Sequence, residues 1–182
     1  HMDPDIKMQR LLKDGDSVKK GAIAFIVEGP SISLLTAERL VLNCMQRMSA
    51  IATKTNKYVK LVEGTKTTIL DTRKTTPGIR IIEKWAVKIG GGANHRFGLY
   101  DMIMLKDNHI DFAGGITQAI EKVKKYLKDK NLDLRIEVEA RDMDEVREII
   151  TVGSIHRIML DNFTPEETIT AIKYINGAYE TE

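Results

Sequence analysis

The sequence predicts an α/β fold in which parallel strands alternate with helices, as a partial (β/α) barrel. From residue 65 onward, short apolar runs alternate with segments of helical periodicity, and each predicted strand ends in ionisable residues. A doubly wound sheet has a similar alternation. In a barrel, however, the carboxyl ends of all strands surround a single site. The recurrence of charge at successive strand ends therefore favours the barrel.

The composition restricts the class of protein. The chain has 182 residues, of which 42% are hydrophobic, enough for one domain and part of another. Its 28 basic and 26 acidic side chains nearly cancel, which argues against a general nucleic-acid binder. Without an apolar run of the ~20 residues that a membrane helix needs, or a signal peptide, we expect a cytoplasmic protein with no membrane partner. The single Cys44 excludes an internal disulfide and a zinc site made of cysteines alone.

The first part of the chain predicts a hairpin and a long helix. The pattern from Met8 to Val27 is strand, turn, strand. A helix then follows from about Ser33 to Val62, where apolar residues recur at helical spacing. His1-Met2 is typical of residues left by cloning, so we expect the natural sequence to begin at or after Asp3.

The second part predicts four strands, each followed by a helix. The strands are expected at Thr68–Asp71, Met102–Lys106, Leu134–Val138 and Ile158–Asp161, and the helices at about Ile79–Ile89, Ile116–Asp129, Met143–Val152 and Pro165–Asn176. The ionisable strand ends are Arg73-Lys74, Lys106-Asp107, Glu137 with Glu139, and Asp161-Asn162. Because Glu137 and Glu139 point to the same side of their strand, they need cations or a metal if that side is interior.

The densest chemical signal is the loop from Asp71 to Gly78, with the sequence DTRKTTPG. A guanidinium such as that of Arg73 grips a carboxylate or phosphate in two parallel hydrogen bonds, and the ammonium of Lys74 adds a mobile charge. Taken alone, a basic surface loop explains this segment equally well.

A glycine run leads into a second cationic pair, in the sequence GGGANHR that ends at His95-Arg96. One glycine suffices to end a helix, whereas three allow the backbone to pass close to a ligand or a neighbouring segment. We therefore favour a binding role for His95 and Arg96.

The segment LKDNHI places Lys106 at a strand end and then predicts a tight turn at Asp107-Asn108. His109 is interpreted as a local hydrogen-bonding residue outside the site. Arg39 lies on the long helix, where an exposed charge is unremarkable.

The combination of cations and carboxylates in these segments suits a polyanionic substrate with a metal-bound phosphate. The absence of a P-loop, of a dinucleotide fingerprint and of zinc-ligand spacing argues against those classes.

These motifs resemble the quinolinate phosphoribosyltransferase family, whose members are also called carboxylating nicotinate-nucleotide pyrophosphorylases. The similar phrases are EGPSISLLTAERLVLN, SAIAT, ILDTRKTTPGIR, KIGGGANHRFGLYD, MLKDNHI, IEVEA and IMLDNFTPEE. The similarity extends from about Asp14 to the end of the chain. The resemblance implies a reaction of quinolinate with phosphoribosyl pyrophosphate that gives nicotinate mononucleotide, pyrophosphate and carbon dioxide in NAD biosynthesis.

The resemblance also implies roles for individual residues. Arg73, His95, Arg96 and Lys106 match residues that bind the quinolinate carboxylates. Lys74, Glu139 and Asp161 match residues around phosphoribosyl pyrophosphate, whose pyrophosphate Mg²⁺ bridges, and Glu137 is a weaker candidate there. Catalysis is assigned to Lys106, Glu139 and Asp161, with no direct metal ligand assigned. Arg39 matches an arginine that reaches into the neighbouring subunit's site, so a homodimer or larger homo-oligomer is expected.

Family members are longer at both ends, so the resemblance implies a truncated chain. Residues 3–64 would be the remnant of an N-terminal α/β sandwich domain with a long interface helix, and residues 65–182 a partial barrel catalytic domain. Because the glycine loops that hold the substrate phosphate follow the region matched here, we expect weak binding of phosphoribosyl pyrophosphate and slow turnover.

Three alternative hypotheses are open. In the first, the chain is a catalytically incompetent fragment or an oligomerisation scaffold of such an enzyme. In the second, the fold is the same but the substrate is another acid. In the third, the hairpin at Asp14–Gly21 belongs to a lipoyl- or biotinyl-like carrier module, which leaves everything beyond Glu28 unexplained.

Overall fold

The computed structural model describes residues 3–182. His1 and Met2, interpreted above as cloning residues, lie outside that range. The chain forms two compact units, the first ending at Phe97 and the second running from Gly98 to Glu182. This division differs from the predicted domain boundary between residues 64 and 65. That boundary refers to domains of the longer family fold, and it stays a prediction.

The first unit contains a hairpin and two helices. Strands β1 (Lys7–Arg10) and β2 (Phe25–Glu28) pair antiparallel, and helix α1 (Ser31–Leu61) follows. Helix α2 (Arg80–Ile89) is the second helix. The predicted hairpin and long helix are therefore confirmed, and so is the first of the four shorter helices.

The predicted strand at Thr68–Asp71 is wrong. Only Leu70 forms a bridge, with Ala93, and the bridge is isolated. Two hydrogen bonds flank it, from Ala93 N to Ile69 O at 2.8 Å and from Asp71 N to Ala93 O at 3.2 Å. These few bonds are too short a ladder for a strand, but they bring the loop after Asp71 beside the segment that leads to His95.

The glycine run is explained by the packing of α2 against α1. A Cβ atom at Gly90 would lie 2.5 Å from Ala52 O and 2.7 Å from Thr55 Cβ, both in α1. One at Gly92 would lie 2.9 Å from Thr55 Cγ2. Gly90 thus accommodates helix α1, and Gly92 accommodates both α1 and Val87 of α2.

The second unit is a parallel sheet with helices. Its strands are β3 (Ile103–Leu105), β4 (Ile136–Ala140), β5 (Arg157–Leu160) and β6 (Glu180–Thr181), paired in that order. Its helices are α3 (Asp107–Ala113), α4 (Ile116–Lys130), α5 (Met143–Val152) and α6 (Pro165–Ile175). The predicted alternation of parallel strands and helices is confirmed here. The tight turn predicted at Asp107-Asn108 is instead the first turn of α3, and β6 was not predicted.

Local sequence explains where the helices of the second unit begin and end. The Asp142 carboxylate accepts hydrogen bonds from Asp144 N and Glu145 N at the start of α5. Thr164 and Glu167 form a capping box around Pro165 at the start of α6. Asn176 ends α6 with a φ of +48°, a conformation that asparagine adopts more readily than most residues.

The two faces of this sheet differ in chemistry. Leu105, Val138 and Ile158 belong to an apolar core that includes residues of α4 and α5. The opposite face carries charge: Glu137 pairs in register with Arg157, and Glu139 follows on the same side. Glu137 is 0% exposed and Glu139 7%. Within residues 3–182, no helix is long and apolar enough to cross a membrane.

Candidate active site

In the first unit, the buried carboxylate of Asp71 joins the DTRKTTPG loop to helix α2 and to the segment that carries His95 and Arg96. This carboxylate forms an ion pair with Lys84 of α2 and accepts a hydrogen bond from Asn94 Nδ2. It also accepts one from the backbone N–H of His95 at 2.9 Å. The residue that begins the DTRKTTPG loop is therefore tied to the residue that precedes Arg96.

Helix α2 buries its charges and exposes apolar residues. Glu83 and Lys84 are 7% and 3% exposed, whereas Ile81 and Trp85 are 69% and 53% exposed. Buried charges require partners. Both of these have them: Lys84 pairs with Asp71, and Glu83 accepts from Arg47 and Thr76. The buried charges of α2 therefore stabilise the DTRKTTPG loop through ion pairs and hydrogen bonds to Asp71 and Thr76.

The guanidinium of Arg80 holds the loop that carries Arg73. It donates to Thr75 Oγ1 at 3.0 Å, to the Arg73 carbonyl at 3.4 Å and to the Phe97 carbonyl at 2.9 Å. Within residues 3–182, the Nε atom of Arg73 is buried and has no hydrogen-bond partner. Since an unpaired buried donor is costly, this nitrogen fits a role in binding an anion.

Glu83 fixes the far end of the same loop. Its carboxylate accepts from Arg47 Nε at 2.9 Å and from the backbone N–H of Thr76 at 3.0 Å. Burial by itself raises the pKa of Glu83, but the hydrogen bonds from Thr76 and Arg47 outweigh it and hold this pKa below its ordinary value. The carboxylate is thus ionised where it supports the loop.

The orientation of the His95 ring is set by the next residue. The backbone N–H of Arg96 donates to His95 Nδ1 at 2.7 Å. Because Nδ1 is an acceptor, the neutral imidazole carries its proton on Nε2. His95 and Arg96 are partly buried, while Lys74 is exposed.

The second unit has its own charged group at the carboxyl ends of the strands. Lys106 directly follows β3 and forms an ion pair with Glu139 of β4. Glu139 is opposite Met159 in the register of β4 and β5, so Asp161, two residues on, lies on the same face. Asp161 accepts a hydrogen bond from Asn162 Nδ2 at 2.9 Å. One cation and two carboxylates therefore face the same side of the sheet.

The other carboxylates of this face are compensated by Arg157. Its guanidinium lies 3.5 Å from Glu137, 2.8 Å from Glu180 and 2.8 Å from Glu182. Burial by itself lowers the pKa of Arg157. The hydrogen bond to Glu180 and the three negative charges outweigh burial and hold this pKa above its ordinary value, so the guanidinium stays charged. The hydrogen bonds from Arg135 and Arg157 lower the pKa of Glu180.

The structure brings most predicted site residues into these two groups. The first unit gathers Arg73, His95 and Arg96 on adjoining segments, and the second gathers Lys106, Glu139 and Asp161. Arg39 is an exposed residue of α1. His109 accepts a hydrogen bond from Lys106 N at 3.1 Å, as its interpretation as a local hydrogen-bonding residue predicts.

Sequence reasoning missed Asp71, Lys84 and Asn94 as members of the site. Lys84 lies in the stretch RIIEKWAVKI, where charges are expected on the solvent side. The stretch itself carries no signal for a buried lysine, because Ile82, Trp85, Ala86 and Ile89 recur at helical spacing and predict an apolar buried face.

Comparison with known proteins identifies the family. Residues 51–181 match the C-terminal domain of quinolinate phosphoribosyl transferase, and residues 2–49 match its N-terminal domain. The chain therefore belongs to the quinolinate phosphoribosyl transferase family. It is 47% identical to a chloroplastic nicotinate-nucleotide pyrophosphorylase [carboxylating] of Arabidopsis thaliana, covering 100% of this chain and 56% of that protein. A probable pyrophosphorylase of Synechocystis is 42% identical, over 97% of this chain and 59% of that protein.

Solved structures agree. The chain superposes on NadC from Streptococcus pyogenes with a TM-score of 0.91 and 39% identity, covering 99% of this chain and 62% of that one. The nicotinate-nucleotide pyrophosphorylase from Francisella tularensis gives 0.90 and 42%, covering 100% of this chain and 64% of that one. The predicted fold class, an α/β partial barrel preceded by part of an N-terminal domain, is confirmed. The chain spans about half the length of the curated relatives that it matches.

Proposed function

We propose that the whole protein is a phosphoribosyltransferase that converts quinolinate and phosphoribosyl pyrophosphate to nicotinate mononucleotide, pyrophosphate and carbon dioxide. Membership of the family supports the reaction. The observation that carries it is the buried Nε of Arg73, which has no hydrogen-bond partner among residues 3–182 and lies in a loop supported by Arg80, beside the segment of His95 and Arg96.

The substrate's two carboxylates explain the cationic residues. Arg73, His95, Arg96 and Lys106 are proposed to bind them, since guanidinium and ammonium groups neutralise carboxylates with charge-assisted hydrogen bonds. The imidazole of His95 offers an N–H at Nε2 because its Nδ1 accepts from Arg96 N. These residues orient the ring nitrogen toward the ribose carbon that it attacks.

Lys74, Glu139 and Asp161 are proposed to surround phosphoribosyl pyrophosphate. Carboxylate oxygens are the ligands that Mg²⁺ prefers, and the metal keeps several waters, so Glu139 and Asp161 on one face of the sheet fit this group. Mg²⁺ bound with the substrate would neutralise charge on the departing pyrophosphate. Lys74, which is exposed, would bind phosphate oxygens.

The chemistry needs positioning and neutralisation rather than a nucleophilic side chain. The ring nitrogen forms a bond to the ribose carbon while the bond from that carbon to pyrophosphate breaks. Positive charge that develops on the ribose is stabilised by carboxylates such as Glu139 and Asp161. The carboxylate next to the ribosylated nitrogen then leaves as carbon dioxide. Its electron pair stays on the ring carbon, stabilised by the adjacent positive nitrogen, and that carbon takes up a proton.

A homodimer or larger homo-oligomer is part of the proposal, with Arg39 reaching the neighbouring subunit's site. The exposed apolar side chains of α1, among them Leu35, Leu40 and Val41, support an interface on this helix. A cytoplasmic location is likewise proposed, although the Arabidopsis relative is named chloroplastic.

Calorimetric titration of the whole protein with quinolinate tests the substrate. We expect binding, and loss of binding in Arg73→Ala and Arg96→Ala. Arg10→Ala, an exposed arginine of β1, is the control and should bind as the unaltered protein does. Unchanged affinity in the two site variants would favour a different acid. Binding without Mg²⁺-dependent consumption of quinolinate would favour the non-catalytic scaffold.

A further inference from the structure

Among residues 3–97, Lys84 is the most deeply buried charged side chain, and no role in ligand binding is proposed for it above. Its ammonium donates to the Asp71 carboxylate and, at 3.0 Å, to the backbone carbonyl of His95. We propose that Lys84 is a positioning residue that sets the placement of His95 and Arg96 for the carboxylates of the substrate. The identity of that substrate rests on the proposed function, whereas the positioning itself does not.

The argument begins with the two peptide groups on either side of His95. The N–H of His95 donates to Asp71 at 2.9 Å, and its carbonyl accepts from Lys84. The Lys84–Asp71 ion pair therefore holds both backbone polar groups of one residue. Rotation of either peptide plane would break a hydrogen bond to a buried charged group, and such bonds are stronger than those between neutral groups.

The backbone in turn holds the side chain. The N–H of Arg96 follows directly from the carbonyl that Lys84 binds, and it donates to His95 Nδ1 at 2.7 Å. The direction of this N–H fixes the imidazole ring, and the same peptide starts the Arg96 side chain. A shift of the peptide at Lys84 would move both groups, and misplacement by about 1 Å is enough to weaken a site strongly.

Asn94 completes the arrangement. Its Nδ2 donates to Asp71 and, at 2.8 Å, to the backbone carbonyl of Lys84. The Asp71 carboxylate thus accepts from one ammonium, one amide side chain and one backbone N–H. Removal of Lys84 alone would leave a buried carboxylate with neutral donors only, and the His95 carbonyl without its cation.

The test compares Lys84→Met with Lys88→Met in the whole protein. Lys88 lies one turn further along α2 and is exposed, so it is a matched control for the loss of a lysine from this helix. Three quantities are measured: the quinolinate affinity by calorimetry, the amide hydrogen exchange of His95, and the imidazole nitrogen shifts of His95 by NMR. Exchange and nitrogen shifts need no ligand, so they test the positioning even if quinolinate proves to be the wrong substrate.

For a folded Lys84→Met we expect about tenfold weaker quinolinate binding, corresponding to the loss of a charge-assisted contact network. We also expect faster exchange of the His95 amide and altered His95 nitrogen shifts, with Lys88→Met unchanged in all three. Native affinity, His95 exchange and nitrogen shifts in Lys84→Met would overturn the proposal.

Asn94→Ala supplies a second variant in case Lys84→Met does not fold, because it removes a neutral donor from Asp71 and from the Lys84 carbonyl but no charge. It should retain the fold, with faster His95 exchange and a smaller loss of affinity in the same direction. Unchanged His95 exchange in Asn94→Ala, beside a Lys84→Met that fails to fold, would mean that the ion pair serves stability alone and would contradict the proposal.

Discussion

The ammonium of Lys106 and the carboxylate of Glu139 form an ion pair across the carboxyl ends of the neighbouring strands β3 and β4. The Lys106 side chain is 42% exposed, whereas that of Glu139 is 8% exposed. The pair therefore joins a solvent-accessible cation to a buried carboxylate on the charged face of the sheet. The ammonium is therefore the part of the pair that solvent and solutes reach.

Lys106→Met in the whole protein should reduce both catalysis and stability. Removing the ammonium leaves the Glu139 carboxylate, which is 8% exposed, without its cation, and an unpaired buried polar group costs about 1–3 kcal/mol in the free energy of unfolding. A cation that stabilises developing or bound charge typically contributes about 100-fold to the rate. Steady-state formation of nicotinate mononucleotide and thermal unfolding measure the two effects. The control is Lys125→Met, an exposed lysine of α4. Equal loss of activity in both variants would contradict a role for Lys106.

Glu83 should make the stability of the first unit dependent on acid pH. Its pKa lies below the ordinary value of 4.5 despite burial, because Thr76 and Arg47 donate hydrogen bonds to the ionised form. A lowered pKa means that the carboxylate stabilises the folded state fully above its ordinary value, and that this contribution is lost as the pH falls through the folded-state value.

Urea unfolding at several pH values checks the prediction with Glu83→Gln. The variant should be less stable than the unaltered protein at pH 7, and the difference should shrink below about pH 4.5. Glu63→Gln, an exposed residue just after α1, should show no such pH-dependent difference. A constant difference between Glu83→Gln and the unaltered protein across this range would mean that ionisation of Glu83 is not responsible.

Gly90→Ala should destabilise the packing of α2 against α1. The new Cβ would lie 2.5 Å from the backbone oxygen of Ala52, which cannot rotate away, so one of the helices must shift. Overpacking of this kind costs about 1–3 kcal/mol in the free energy of unfolding. Chemical denaturation measures it, and a midpoint equal to that of the unaltered protein would show that the contact is looser than described.

Elements with strong local signals were predictable from the sequence. Helix α5 was predicted at about Met143–Val152, and the structure has these bounds, because its apolar residues recur at helical spacing. The segment Thr68–Asp71 has the apolar character of a strand, yet only Leu70 finds a partner, Ala93. Strand formation depends on a neighbour, which the local sequence does not specify.

The misprediction at Asp107-Asn108 has a different cause. Asp and Asn favour turns and helix starts for the same reason, their short polar side chains, so the start of α3 was interpreted as a turn. The residues of the candidate site also differ in whether the local sequence predicts them. Arg73 and Arg96 were predictable from motif chemistry. Lys84 was not, because its role depends on Asp71, thirteen residues earlier, and on the carbonyl of His95.

Turnover by the whole protein and by Arg96→Ala tests the central claim most directly. With quinolinate, phosphoribosyl pyrophosphate and Mg²⁺, we expect equal amounts of nicotinate mononucleotide, pyrophosphate and carbon dioxide from the unaltered protein. Arg96→Ala should lose about 2 kcal/mol or more of substrate binding, roughly thirtyfold in kcat/KM. Quinolinate left unconsumed by the folded, unaltered protein, or the same kcat/KM in Arg96→Ala, would contradict the account.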